Sequence, residues 1–177
     1  MQIIALLLQL RREAAPPRAH PSLLIAPASL LGNWRKEIAR FAPTLRTATA
    51  HPSESPEGAW RHPKTAAAWM AGVDVVITTY TQATRLDWLA TTPWRLMILD
   101  EAQAIKNPST RQTKAVKKIK AAARIALSGT PVENSPNDLW SIFDFLNPGL
   151  LGSPTEFSRH LKTIHKAQVP NYAPLRR

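Results

Sequence analysis

Cysteine is absent from all 177 residues. That excludes disulfides and cysteine metal sites, and is compatible with a reducing compartment. Acidic residues are scarce: 12 Asp+Glu stand against 23 Lys+Arg, a net charge of +11. This favours a polyanionic partner, most simply nucleic acid. A generic solubilising surface is the other reading of the same charge. No long hydrophobic run is present. Residues 3–8, IIALLL, are far too few to span a bilayer. No basic residue precedes them and Arg11 and Arg12 follow, the wrong order for a signal peptide. There is no repeat or low-complexity tract. The five histidines, His20, His51, His62, His160 and His165, include one i, i+5 pair and none at i, i+4, so no metal site is read from them. What remains is a soluble, intracellular, non-membrane protein with enough residues for one domain and a real core.

The most informative stretch present is residues 94–103, WRLMILDEAQ. Its continuous apolar run fits a strand covered on both faces, as in a parallel sheet. The strand, residues 96–99, delivers Asp100 and Glu101 to its C-terminal end. Open α/β sheets bind ligands at that end. An Asp–Glu pair there suits a Mg²⁺ ion and a water to be deprotonated beside it. The plain alternative is a charged pair that ends a strand into solvent.

The rest of the chain alternates helix and strand. Residues 1–13 are helix-like, with Ile3, Leu6, Leu7 and Leu10 on one stripe. Residues 14–21 form a Pro-rich loop. SLLIA (22–26) is a strand stopped by Pro27. Ser29 then caps a helix carrying Leu31, Trp34, Ile38 and Phe41 on its buried face. Residues 46–51 read as a short strand, 65–70 as a short helix, DVVITTY (74–80) as a β-branched strand and 82–90 as a helix. Ser109 and Gln112 have capping-box spacing, and Val116, Ile119 and Ala123 form the buried face of the helix that follows. Arg111, Lys114 and Lys118 share another face, which reads as a solvated surface. RIAL (124–127) is a short strand leading to Ser128-Gly129-Thr130. Two more helices start at Ser135-Pro136 and Ser153-Pro154. Trp34 and Trp140 fall on apolar stripes as core residues. Trp60, Trp69 and Trp88 are not interleaved with a basic patch, so base stacking is not read from them.

The fold class is therefore α/β, a mostly parallel sheet flanked by helices. Right-handed crossovers bring the strand C-termini to one edge. That edge collects Pro27, Ala28, Ser29, Thr78, Thr79, Tyr80, Asp100, Glu101, Ala102, Gln103, Ser128, Gly129 and Thr130.

Several blocks, in order, resemble the first RecA-like lobe of the SWI/SNF-type, superfamily 2 DNA translocases. Residues 23–43, LLIAPASLLGNWRKEIARFAP, resemble motif Ia and its helix. DVVITTY resembles the next block. LMILDEAQAIKNPST (96–110) resembles motif II, the Walker B element. ALSGTPVENSPNDLWSIFDFLNPGLLG (126–152) resembles motif III and beyond, and YAPLRR (172–177) resembles the entry to a later segment. DEAQ alone is weak; DEAQAIKNP followed by LSGTPVEN is highly specific.

The resemblance implies an ATP-dependent translocase that moves along duplex DNA. Asp100 would hold Mg²⁺ through its water shell, and Glu101 would orient and deprotonate the attacking water. Gln103 would link motifs II and III, and Ser128, Gly129 and Thr130 would couple nucleotide state to DNA grip. Pro27, Ala28, Ser29, Thr79 and Lys106 would meet DNA phosphates. The family also needs a Walker A loop ending in Gly-Lys-Thr, which binds the phosphates of ATP. None of the six glycines precedes a lysine. The expectation is a partial lobe (1–152) that starts just after Gly-Lys-Thr, lacking the first strand and P-loop, with a central gap in its sheet. A helical segment and tail (153–177) would lead toward a second lobe that the chain does not contain. A bacterial cytoplasm, at the nucleoid, is the expected location. A non-catalytic DNA-binding remnant and an unproductive gene fragment are the alternatives.

Overall fold

The structure, a computed structural model, describes residues 1–13, 20–54, 58–129 and 136–166. Within these, five strands form one sheet: β1 (Ser22–Ala26), β2 (Thr47–Ala50), β3 (Val75–Thr79), β4 (Trp94–Leu99) and β5 (Ala121–Ala126). The order is β2-β3-β1-β4-β5 and every pairing is parallel. The helices are α1 (Gln2–Glu13), α2 (Leu31–Phe41), α3 (Pro63–Trp69), α4 (Tyr80–Ala83), α5 (Trp88–Thr91), α6 (Arg111–Lys118), α7 (Pro136–Leu146) and α8 (Pro154–Lys166).

The central strands are apolar throughout because both faces are covered. Side chains alternate between faces with period two. Leu24, Val75, Ile77, Leu96 and Ile98 pack with Ile4 and Leu7 of α1 and with Leu31 and Ile38 of α2. Leu23, Ile25, Val76, Met97 and Leu99 face the opposite layer, built from α3 to α7. Trp60, Trp88 and Trp94 sit in that second layer. Two of their indole N–H groups reach backbone carbonyls, Trp88 to Trp60 and Trp94 to Leu89. This satisfies the polar end of each buried ring.

Several sequence expectations shift. The sheet is continuous through its described strands, so there is no central gap; β5 is instead an outer strand. Ser29 does not cap α2. It lies inside a 3₁₀ turn, Ala28–Leu30, that runs directly into the helix without a side-chain cap. Phe41 is exposed rather than part of the buried stripe. Residues 82–90 are two short helices, α4 and α5, because Thr79 caps the first and the chain turns at residues 84–87. Thr110, not Ser109, caps α6, and Gln112 bonds the Ala104 carbonyl instead of closing a capping box. Helix α6 stops at Lys118, so Ala123 belongs to β5 and is exposed. The start proposed at Ser135, Thr130 and the tail from residue 167 lie outside the described residues.

Candidate active site at the strand edge

Parallel pairing sends all five strand C-termini to one edge, and β4 ends there in Asp100 and Glu101. Glu101 has φ 51° and ψ 53°, the left-handed region. Among the described residues it is the only non-glycine with positive φ. An L-residue in that conformation costs on the order of 1 kcal/mol and persists where its surroundings over-determine it. Those surroundings are visible on each side of it. The Asp100 N–H donates to the Ile25 carbonyl of β1, and the Ala102 N–H to the Leu127 carbonyl just past β5, both at 2.8 Å. Asp100 Oδ1 accepts the Glu101 N–H at 3.0 Å. The Tyr80 hydroxyl, from the end of β3, donates to the Asp100 carbonyl at 2.8 Å. Burial, and after it the Asp100 and Glu101 carboxylates, push the Tyr80 pKa above the ordinary phenol value. Its hydroxyl therefore stays protonated as a donor. The sequence places Tyr80 at this edge, directly after a buried β-branched strand, but assigns it no role.

A chain of side chains runs outward from Glu101. Gln103 Nε2 donates to Glu101 Oε2 at 2.5 Å, and Ser128 Oγ donates to Gln103 Oε1 at 2.8 Å. This brings together three residues that the sequence singled out, from two different strand ends. Gln103 lies in a 3₁₀ turn, Ala102–Ile105, whose Ile105 carbonyl accepts the buried Ser141 hydroxyl of α7 at 2.6 Å. The left-handed Glu101 aims this turn back across the strand ends.

Asp100 has one further partner. Trp34 Nε1, on α2, donates to Asp100 Oδ2 at 2.7 Å. Trp34 was expected to be a core residue. It does pack against the α1–α2 layer, yet it is only half-buried and its polar end belongs to the site.

Other candidates are placed less closely. Pro27, Ala28 and Ser29 form the turn between β1 and α2, with Ala28 and Ser29 exposed. Thr79 is 4% exposed, and its hydroxyl accepts the Gln82 N–H at 3.2 Å. It is a helix cap, which corrects the expectation of a phosphate contact on the surface. Lys106 follows the Gln103 turn and is half-buried. Gly129 is exposed, and a Cβ there would meet nothing within 4 Å, so no close approach demands glycine.

The donors suit a hard cation. Asp100 offers carboxylate oxygen at a half-exposed strand end, and among the described residues no cluster of three His, Cys, Asp or Glu exists. An ion there would take its remaining ligands from water and phosphate, which is how Mg²⁺ is commonly held. Among the described residues no helix is long and apolar enough to cross a membrane.

The comparisons with known proteins agree with one another. The family model described as SNF2-related domain matches residues 1–176. YwqA of Bacillus subtilis (strain 168) is 42% identical over 168 residues, covering 94% of this chain and 18% of that protein. The TATA-binding protein-associated factor MOT1 of Saccharomyces cerevisiae is 37% identical over 162 residues, covering 85% of this chain and 8% of that protein. The Sulfolobus solfataricus SWI2/SNF2 ATPase core in complex with dsDNA superposes with a TM-score of 0.80 at 41% identity, over 99% of this chain and 34% of that one. The chain thus spans 18% or less of these two curated relatives and 34% of the solved core.

Proposed function

Because the chain belongs to the SNF2-related family, we propose that its strand edge is the metal-and-water half of an ATPase site in a translocase acting on duplex DNA. The family is ATP-dependent and helicase/translocase-like, and the fold is that of its RecA-like core lobe. The observation that carries the reading is the Ser128–Gln103–Glu101 chain beside Asp100.

In this reading Asp100 would hold Mg²⁺ through water, and such an ion would supply positive charge beside the transferred phosphoryl group. Glu101 accepts a proton from the attacking water. Gln103 fixes the Glu101 carboxylate, and Ser128 fixes Gln103, so a shift in the segment after β5 reaches the base. Ser128, Gly129 and Thr130 thereby couple the nucleotide to the grip on DNA. Ala28 and Ser29 offer their backbone N–H groups, and Ser29 its hydroxyl, to phosphates beside Pro27, which shapes the turn without donating, with charge added by Lys106. Such contacts position a duplex without reading its sequence. We propose a bacterial cytoplasm, at the nucleoid, as the compartment.

Phosphoryl transfer rests on positioning and on neutralising phosphate charge. With no glycine followed by lysine, these 177 residues supply one half of that and do not turn over ATP by themselves. The +11 charge supports a second reading, a DNA-binding module without catalysis. Retention of a short duplex across a salt series tests the shared part. Binding that weakens steadily as salt rises is expected. Absence of retention at low salt would overturn both readings.

A further inference from the structure

Trp34 lies 66 residues before Asp100 and on a different element, yet the two side chains meet at 2.7 Å. We propose that Trp34 is a positioning residue for Asp100, its indole N–H fixing the carboxylate that would hold the metal ion. This rests on the metal role assigned to Asp100 above.

The geometry shows why a tryptophan suits the task. Asp100 Oδ1 is engaged by the backbone N–H of Glu101 at 3.0 Å. That bond alone leaves rotation about the side chain to be settled. The indole N–H on Oδ2 settles it from the opposite element, leaving each oxygen with lone-pair capacity for a further donor or a hydrated ion. An indole is a donor only and carries no charge. It can orient a carboxylate without neutralising it or competing for the cation. Lysine or arginine at this place would do both.

Trp34 is itself held. Its helix is anchored through Leu31 and Ile38, each 1% exposed, which flank it by three and four residues. Its ring packs against the buried layer beneath α2. On its outer side lies an open groove of about 170 Å³, lined by Met1, Ile4, Asn33, Trp34 and Glu37. A residue serving only to fill the core would have no reason to keep a face on this groove and direct its polar atom to the strand edge. Outer-shell groups that orient a metal-holding side chain commonly change metal affinity by about 10–100-fold when removed.

The test uses ¹H–¹⁵N spectra of the whole 177-residue chain with Mn²⁺ as a paramagnetic probe. The Trp34 indole resonance is identified by its loss in Trp34→Phe, and Asp100→Ala should move it as the acceptor disappears. In the unsubstituted chain, Mn²⁺ should broaden the Trp34 indole and the Glu101 and Ala102 amides first. In Trp34→Phe the apparent Mn²⁺ affinity read from those amides should fall about tenfold or more. Ile38→Val loosens the same helix without touching Asp100 and should leave that affinity unchanged. If Mn²⁺ broadens Glu101 and Ala102 equally in Trp34→Phe and in the unsubstituted chain, the positioning role is overturned while the metal role of Asp100 stands. If Mn²⁺ spares these amides in the unsubstituted chain, both fall together. Should Trp34→Phe fail to fold, the Trp34 indole is assigned instead from through-bond spectra of the ¹³C,¹⁵N-labelled chain; if Asp100→Ala leaves it unmoved the contact is overturned, and if it moves the contact is supported.

Discussion

Strands β4 and β5 are parallel neighbours of six residues each, and they are built in opposite ways. In β4 every residue but Arg95 is buried. In β5 no residue is fully buried, and Ala122 and Ala123 are exposed. β4 is locked between β1 and β5 and ends in the left-handed Glu101. Among the described residues β5 has a strand on one side only, and it is held by Arg124, whose guanidinium donates to the carbonyls of Phe145 and Ile119. The edge thus joins a buried strand end, carrying the two carboxylates proposed to hold the metal and to take the water's proton, to a less embedded strand end carrying Ser128. The Gln103 side chain bridges them. A coupling device needs this asymmetry: a fixed reference and a neighbour that can shift against it.

Five substitutions, the first two read as a pair, would break or sharpen the contrast. The largest effect is expected from Leu96→Ala compared with Ala123→Ser, two positions paired in register. Emptying the buried site should cost about 2–5 kcal/mol in a urea melt, whereas the exposed one should stay within about 0.5 kcal/mol. Equal losses would mean that β5 is as embedded as β4.

Next comes Glu101→Gly. It releases the left-handed backbone from its Cβ, so melting should rise by about 2–4 °C, as for ~1 kcal/mol in a chain of this size. A fall would show that the Glu101 side chain stabilises the turn more than its backbone strains it.

Lys117→Met removes a partly buried ion pair with Asp144, at 2.7 Å, which ties α6 to α7 beneath β5. Burial alone would raise the Asp144 pKa. The hydrogen bonds from Lys117 and the Gly149 N–H, with the charges of Lys117 and Arg124, outweigh it and hold the pKa below the ordinary carboxylate value. The pair's contribution is therefore complete above that ordinary value and is lost as pH falls through the lowered one. Thermal melts from about pH 6 to about pH 2 should show a shallower acid decline in Lys117→Met, with a loss of about 0.5–1 kcal/mol at neutral pH.

The smallest effect on stability belongs to Ser128→Ala. One half-buried neutral hydrogen bond is worth about 1 kcal/mol or less. Its expected mark is instead a shifted side-chain amide resonance of Gln103, with melting nearly unchanged.

Much of this was legible in the sequence. The buried strands and the edge they share followed from apolar runs and breakers, and the Asp–Glu pair from its place after one of them. What escaped depended on direction rather than pattern. A helical stripe identifies Trp34 as inward-facing, but periodicity says nothing about where an indole N–H points. Ser29 and Ser109 have good capping chemistry. Even so, a 3₁₀ turn before α2 and a threonine one residue later at α6 provide the actual starts. Thr79 looked like a surface hydroxyl because it follows a strand, yet the tight turn into α4 buries it. The alanines of β5 are strong helix formers, so local preference carries α6 past Lys118, where pairing with β4 makes a strand instead.

The most direct test of the central claim is ATP turnover by the 177-residue chain with duplex DNA present, measured beside Glu101→Gln. The account predicts no turnover above background in either, because the proposed metal and water groups would act without a glycine–lysine phosphate loop in these 177 residues. Turnover in the unsubstituted chain that Glu101→Gln abolishes would contradict it and place a complete phosphate site within these residues.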